Sequence, residues 1–133
     1  MKRSEAREQA FILSFERIFN MDTELSEMKS IASESELFEL DAFAQTLAEL
    51  VFEKAEELDG VISSFLKGWK IERLPRVVLA VLRLAVAEIN YVEETPDAVV
   101  VNEAVELTKK YALEEDAAFV NGLLGSVVRA KAK

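Results

Sequence analysis

Residues 101–128 read VNEAVELTKKYALEEDAAFVNGLLGSVV. Taken alone, the dipeptide Asn121-Gly122 is a hairpin-turn signal. Its surroundings overrule it. Phe119, Val120, Leu123, Leu124, Val127 and Val128 recur at helical spacing on both sides of the pair, so one helix runs through it, from about Glu114–Asp116 to about Arg129. The preceding helix ends near Tyr111 and opens at Thr95-Pro96-Asp97, an N-cap, a proline tolerated in the first turn and an acid at the positive helix end. Two asparagines, Asn102 and Asn121, then fall inside apolar runs, where an amide without partners is costly. One reading sets each at a helix edge, solvating itself. The reading adopted is that they hydrogen-bond across the last two helices, with Gly122 letting the neighbouring backbone approach closely.

Upstream the same period holds. Val77–Ile89 is apolar almost all round, which marks a central helix wrapped by others; Leu74-Pro75 opens it. A first helix from about Glu5 to Phe19 carries Ala6, Ala10, Phe11, Phe15, Ile18 and Phe19 on one side. A second, short helix capped by Asp22 or Thr23 ends near Ala32. The pair Ser33…Glu36 is a capping-box pattern that opens a third helix, with a stripe from Leu40 to Leu58 and its end or a break at Gly60. A fourth, Val61–Leu66, is closed by Gly68. Strand-like alternation is absent. The expectation is an all-α protein of about seven helices in one domain, with sub-bundles of about 1–68 and 69–133.

The 133 residues are half apolar, enough for a core without staples. There is no cysteine and no histidine. That excludes disulfides, thiolate zinc sites, histidine-ligated metals and triads built on either residue. No metal or cofactor is expected. The run Glu114-Glu115-Asp116 suits the positive end of the last helix better than acid–base chemistry, and the expectation is a protein that is not an enzyme. The N-terminus MKRSEAREQAF lacks a signal-peptide core. The most apolar stretch, residues 77–87, contains Arg83 and is far too short to span a bilayer. A soluble cytoplasmic protein without a membrane partner is expected.

The net charge is −9, but it is unevenly spread. Residues 60–87 carry a net +4 within an otherwise acidic chain, from Lys67, Lys70, Arg73, Arg76 and Arg83. Lys2, Arg3 and Arg7 add a second basic group. Local charge of this kind is compatible with an anionic partner. Arg83 lies in the most apolar helix and is expected to pair internally, with Glu103 or Glu106. Arg73 and Arg76 stand near the helix start, open to an anionic or a protein partner.

The run NEAVELTKKY followed by FVNGLL resembles the C-terminal signature of the NusB family of transcription antitermination factors. Arg3-x-x-Ala6-Arg7-Glu8-x-Ala10 is similar to the family's arginine-bearing first helix. Trp69 with Arg73 and Leu74, then Leu82-Arg83-Leu84-Ala85 and Glu88-Ile89, resembles its central segment, and Pro96 precedes Asn102 at the family's distance. The resemblance is specific in residues 69–124 and weak between about 20 and 60. It implies two small helical bundles packed at a steep angle. It implies a non-catalytic protein that joins NusE, a ribosomal protein, binds the boxA element of nascent RNA, and helps the RNA polymerase antitermination complex read through terminators, notably on ribosomal RNA operons. Lys2, Arg3 and Arg7 would contact RNA. Phe119, whose spacing fits core packing, would by resemblance be a stacking platform beside the RNA. The first helix is poorer in arginine than the family pattern. Two alternatives follow: a protein-only scaffold with this fold, and a stand-alone relative of the RNA-binding module of ribosomal RNA cytosine methyltransferases. Both monomers and homodimers are compatible with the sequence.

Overall fold

The computed structural model describes residues 2–19 and 41–131. Its helices are α1 (Arg3–Phe19), α2 (Ala42–Glu53), α3 (Ala55–Ser64), α4 (Arg76–Tyr91), α5 (Asp97–Tyr111) and α6 (Glu114–Lys131), with a 3-10 turn at Ile71–Arg73. No strand occurs among the described residues, and the all-α expectation holds. The expected helix ending near Ala32 and the Ser33…Glu36 capping box lie outside the described residues.

The central helix is α4. Val78, Ala80, Val81, Leu82 and every residue from Leu84 to Ile89 are buried, because α4 packs against α1, α2, α3, α5 and α6. Each large apolar side chain removed from water there stabilises the fold by about 1.5–3 kcal/mol. On one flank α1 packs against α2; on another, α5 and α6, joined by two residues (112–113), pack on each other. Val100, Ala104 and Leu107 of α5 are buried and line a small void with Val81, Leu84 and Ala85 of α4; Val120, Leu124 and Val127 are buried on α6.

Polar contacts fix the helix ends. Asp41 caps α2, its carboxylate accepting from the N–H groups of Phe43 and Ala44, and its own N–H donates to Gln9 of α1 at 3.0 Å. At the far end of the chain, Lys131 donates to the carbonyl of Ile89 at 2.6 Å and to Asp97 at 3.1 Å, tying α6 to α4 and α5.

Two boundaries differ from the sequence reading. The stripe through Leu58 breaks at Lys54 (φ −107°, ψ 15°), not at Gly60, which lies inside α3. One non-helical residue leaves the apolar period nearly in phase, so periodicity does not register it. The helix expected to close at Gly68 closes at Phe65. Gly68 instead takes φ +78°, a left-handed turn that favours glycine, and leads the chain into Trp69.

Candidate nucleic-acid interface

The basic residues of α1 divide by depth. Lys2 and Arg3 are exposed. The Arg3 guanidinium sits 3.8 Å from the centroid of the Phe43 ring, a cation–π contact that holds the charge without neutralising it. Arg7, one turn further, is buried. Its Nε and Nη2 donate to the two carboxylate oxygens of Glu88 at 2.8 and 2.7 Å, and Nη1 lies 3.7 Å from Glu103. The hydrogen bond with Glu88 holds the Arg7 pKa above its ordinary value, against the opposing effect of burial. The expectation that Arg7 contacts RNA is therefore corrected. A buried guanidinium must be paired, and this one joins α1 to α4.

Arg3 and Arg7 both border an open cleft of about 770 Å³, with Phe43, Thr46, Pro96 and Glu103 among its walls. The other end of α5 is linked to α1 by Glu8, which accepts from Lys110 at 2.6 Å and from the Tyr111 hydroxyl. Lys110 and then Tyr111 hold the Glu8 carboxyl below its usual range. The Tyr111 hydroxyl is pushed up to about 12, by burial first and by Glu8 second. Its ring lies tilted against Phe11, 35° between planes and 4.8 Å between centroids.

A second cleft, of about 440 Å³, lies between the start of α4 and the first turns of α6. Phe119 opens onto it and is 37 % exposed, so it is not a core residue. Arg73 lines the same cleft, and Trp69 stands there 63 % exposed. Arg76, Lys67 and Lys70 are exposed nearby in the chain. The structure thus brings Arg73 to Phe119 and keeps Arg3 with the first cleft.

The residues expected to be structural are also redistributed. Arg83 pairs with Asp59 of α3 through two hydrogen bonds of 2.7 Å, not with Glu103 or Glu106 on α5; α4 turns that face toward α3. Asn102, Asn121 and Gly122 are exposed. Neither amide bonds across the helix pair; both line a shallow groove of about 450 Å³ between α5 and α6, beside Val101, Val105, Val128 and Arg129. A Cβ on Gly122 would meet nothing within 4 Å, so no backbone approaches it.

Sequence reasoning missed Glu88, Asp59 and the exposure of Trp69. Glu88 had a readable signal: a lone carboxylate in an apolar helix needs a buried cation. Among the described residues, no group of three or more acidic or other ligating side chains could hold a metal, and no helix is long and apolar enough to cross a membrane.

Comparison with known proteins fits this geometry. The transcription antitermination protein NusB of Acetivibrio thermocellus is 39 % identical over 132 residues, covering 98 % of this chain and 91 % of the relative. A crystal structure of the antitermination factors NusB and NusE in complex with double-stranded RNA contains a chain that superposes with a TM-score of 0.84 at 31 % identity, covering 98 % of this chain and 99 % of that one. NusB of T. maritima gives a TM-score of 0.86 at 29 % identity, with 97 % and 92 % covered. The model of the NusB family matches residues 4–129, and the chain belongs to that family.

Proposed function

We propose that this protein is a transcription antitermination factor that binds boxA RNA together with NusE and promotes read-through by RNA polymerase, notably on ribosomal RNA operons. The observation that carries the reading is the match over nearly the whole chain to proteins named for that function, including a NusB fold seen with NusE and RNA. The exposed cations Lys2, Arg3, Arg73 and Arg76 supply phosphate contacts, and Phe119 supplies a ring for a base. The protein acts without catalysis, in the cytoplasm. Contacts of α4 with helices on both sides of the boundary near residue 68 support its working as one domain.

One observation favours a second reading, a protein-binding scaffold with weak RNA affinity. Arg7 is spent on Glu88, which leaves Lys2 and Arg3 as the exposed cations of an already thin N-terminal cluster. A titration of boxA-type RNA against a scrambled control, with and without NusE, separates the two. Preference for boxA that strengthens with NusE is expected. NusE binding with no RNA preference would select the scaffold.

A further inference from the structure

Arg129 of α6 is a cation without a carboxylate. Its Nη2 donates to the Ser126 hydroxyl at 3.1 Å, and among the described residues no acid pairs with it. Arg7 and Arg83, by contrast, are each held by two hydrogen bonds to a carboxylate. Nor does Arg129 simply reach out into water. It folds back over Gly125, where a Cβ would stand 3.3 Å from Nη1. The missing side chain at 125 makes room for the guanidinium on the groove between α5 and α6, which both residues line.

The rest of the groove narrows what would meet that charge. Val101, Val105 and Val128 are half-buried along it, and no residue lining it is acidic or aromatic. A base of RNA finds no ring there to stack on. A phosphate chain finds one cation, since Lys131, two residues on, is engaged by Asp97 and the Ile89 carbonyl. Asn102 on one helix and Asn121 on the other are exposed and make no hydrogen bond among the described residues. Each amide offers a donor and an acceptor, which is the match for a peptide group. An extended peptide presents N–H and C=O groups to both sides and alternates its side chains up and down. Laid along the groove, it would meet the amides with its backbone, the valines with an apolar side chain and Arg129 with a carboxylate.

We propose that the groove between α5 and α6 docks an extended, acidic segment of a protein partner, with Arg129 holding its carboxylate and Asn102 and Asn121 pairing with its backbone. None of the lining residues borders the Arg3 cleft or the Phe119 cleft. The contact is therefore additional to the RNA-binding reading and does not depend on it.

The probe is a phage-displayed library of random heptapeptides, selected against the full chain with Gly125→Asp as the counter-target. A carboxylate introduced at 125 lies against the Arg129 guanidinium and closes the site from within. Enrichment of peptides that carry an acid beside β-branched apolar residues is expected. The synthetic peptide should bind about 10-fold more weakly to Arg129→Ala, the scale of one charge-assisted contact. It should bind about 5-fold more weakly to Asn102→Ala, the scale of one neutral hydrogen bond. Replacing the peptide's acid by its amide should reproduce the Arg129→Ala loss and add nothing in that variant. Arg129 and Asn102 are exposed, and circular dichroism checks that every variant keeps its helicity. Fluorescence anisotropy of a labelled boxA-type RNA should be the same for Arg129→Ala, Asn102→Ala and the parent. A selection that yields no peptide distinguishing the parent from Gly125→Asp would overturn the proposal, as would acidic peptides that bind Arg129→Ala equally well. RNA affinity that falls in both Arg129→Ala and Asn102→Ala would assign the groove to RNA. A dimer in sedimentation that Arg129→Ala disperses would assign it to a second copy of the chain. Either result would also overturn the proposal.

Discussion

Arg7 on α1 and Glu88 on α4 share two hydrogen bonds, of 2.8 and 2.7 Å, with side chains only 6 % and 1 % exposed. They lie 81 residues apart in sequence, and the fold makes each the other's only adequate solvent. The bond geometry is bidentate, which fixes the orientation of α1 on the central helix as well as its distance. Glu103, at 3.7 Å, adds a weaker second acid.

Removing Arg7 leaves Glu88 buried and unpaired, and removing Glu88 leaves Arg7 with only its longer contact to Glu103; breaking such a pair costs about 3–5 kcal/mol. Arg7→Ala and Glu88→Ala should each lower the unfolding free energy by that much, read from urea melts as a lowered midpoint. A double substitution, Arg7→Met with Glu88→Leu, should recover much of the loss, since apolar pairs of similar volume often replace buried ion pairs without penalty. Single variants that melt within about 1 kcal/mol of the parent would show that the pair is not structural. Weakened RNA binding in Arg7→Ala, taken without a stability measurement, would therefore mislead.

Arg3 is the cleaner probe of the N-terminal surface. It is exposed and rests on Phe43, so Arg3→Ala removes a contact worth about 0.5–1 kcal/mol and leaves the fold in place. If Arg3 meets one phosphate of single-stranded RNA, the log–log salt slope of binding should fall by about 0.7. An unchanged slope would take Arg3 out of the RNA site.

These two arginines show what a sequence carries and what it hides. Both sit on a legible helix, and periodicity correctly placed Ala6, Ala10 and Phe11 in the core. It also identified α4 as central and carried the last helix through Asn121-Gly122. Period assigns a residue to a face, but it does not say which distant helix covers that face. That is why Arg7 read as a surface cation, and why Arg83 was matched to Glu103 or Glu106 when Asp59 was its partner. Trp69 was legible as a motif residue, but its exposure depends on how the segment after Gly68 turns. The resemblance placed Phe119 by the RNA surface. The structure adds the cleft beside it.

Asn121 and Gly122 give a test in which the structure reverses the sequence reading. A buried, bonded amide would have cost about 1–3 kcal/mol on truncation. The exposed Asn121 should tolerate Asn121→Ala within about 0.5 kcal/mol. Gly122 is helical, with open space where a Cβ would point. Gly122→Ala should therefore stabilise α6 by about 0.5–1 kcal/mol. Thermal melts of both variants decide it: a large loss in Asn121→Ala would restore the bonded amide, and a loss in Gly122→Ala would reveal a close neighbour.

Tyr111 makes folding stability sensitive to alkali. In the unfolded chain a tyrosine ionises near 10; in the folded protein Tyr111 is held up to about 12, by burial and by its hydrogen bond to Glu8. Between those values the unfolded chain releases a proton that the folded chain keeps. Stability from this group is therefore complete below pH 10 and is lost as pH rises toward about 12. Glu8 acts at the opposite end of the scale. Lys110 and Tyr111 hold its pKa below the unfolded value, so its contribution is complete above that value and fades as pH falls through the folded one. Tyr111→Phe should flatten the alkaline fall of the urea midpoint. The ultraviolet titration of that variant should also lose its upper step, leaving Tyr91, the other tyrosine of the chain. A parent and variant with the same alkaline slope would separate Tyr111 from the link between α1 and α5. Lys110→Ala should leave Glu8 with one donor and shift the acid limb toward higher pH, which a urea series at falling pH would detect.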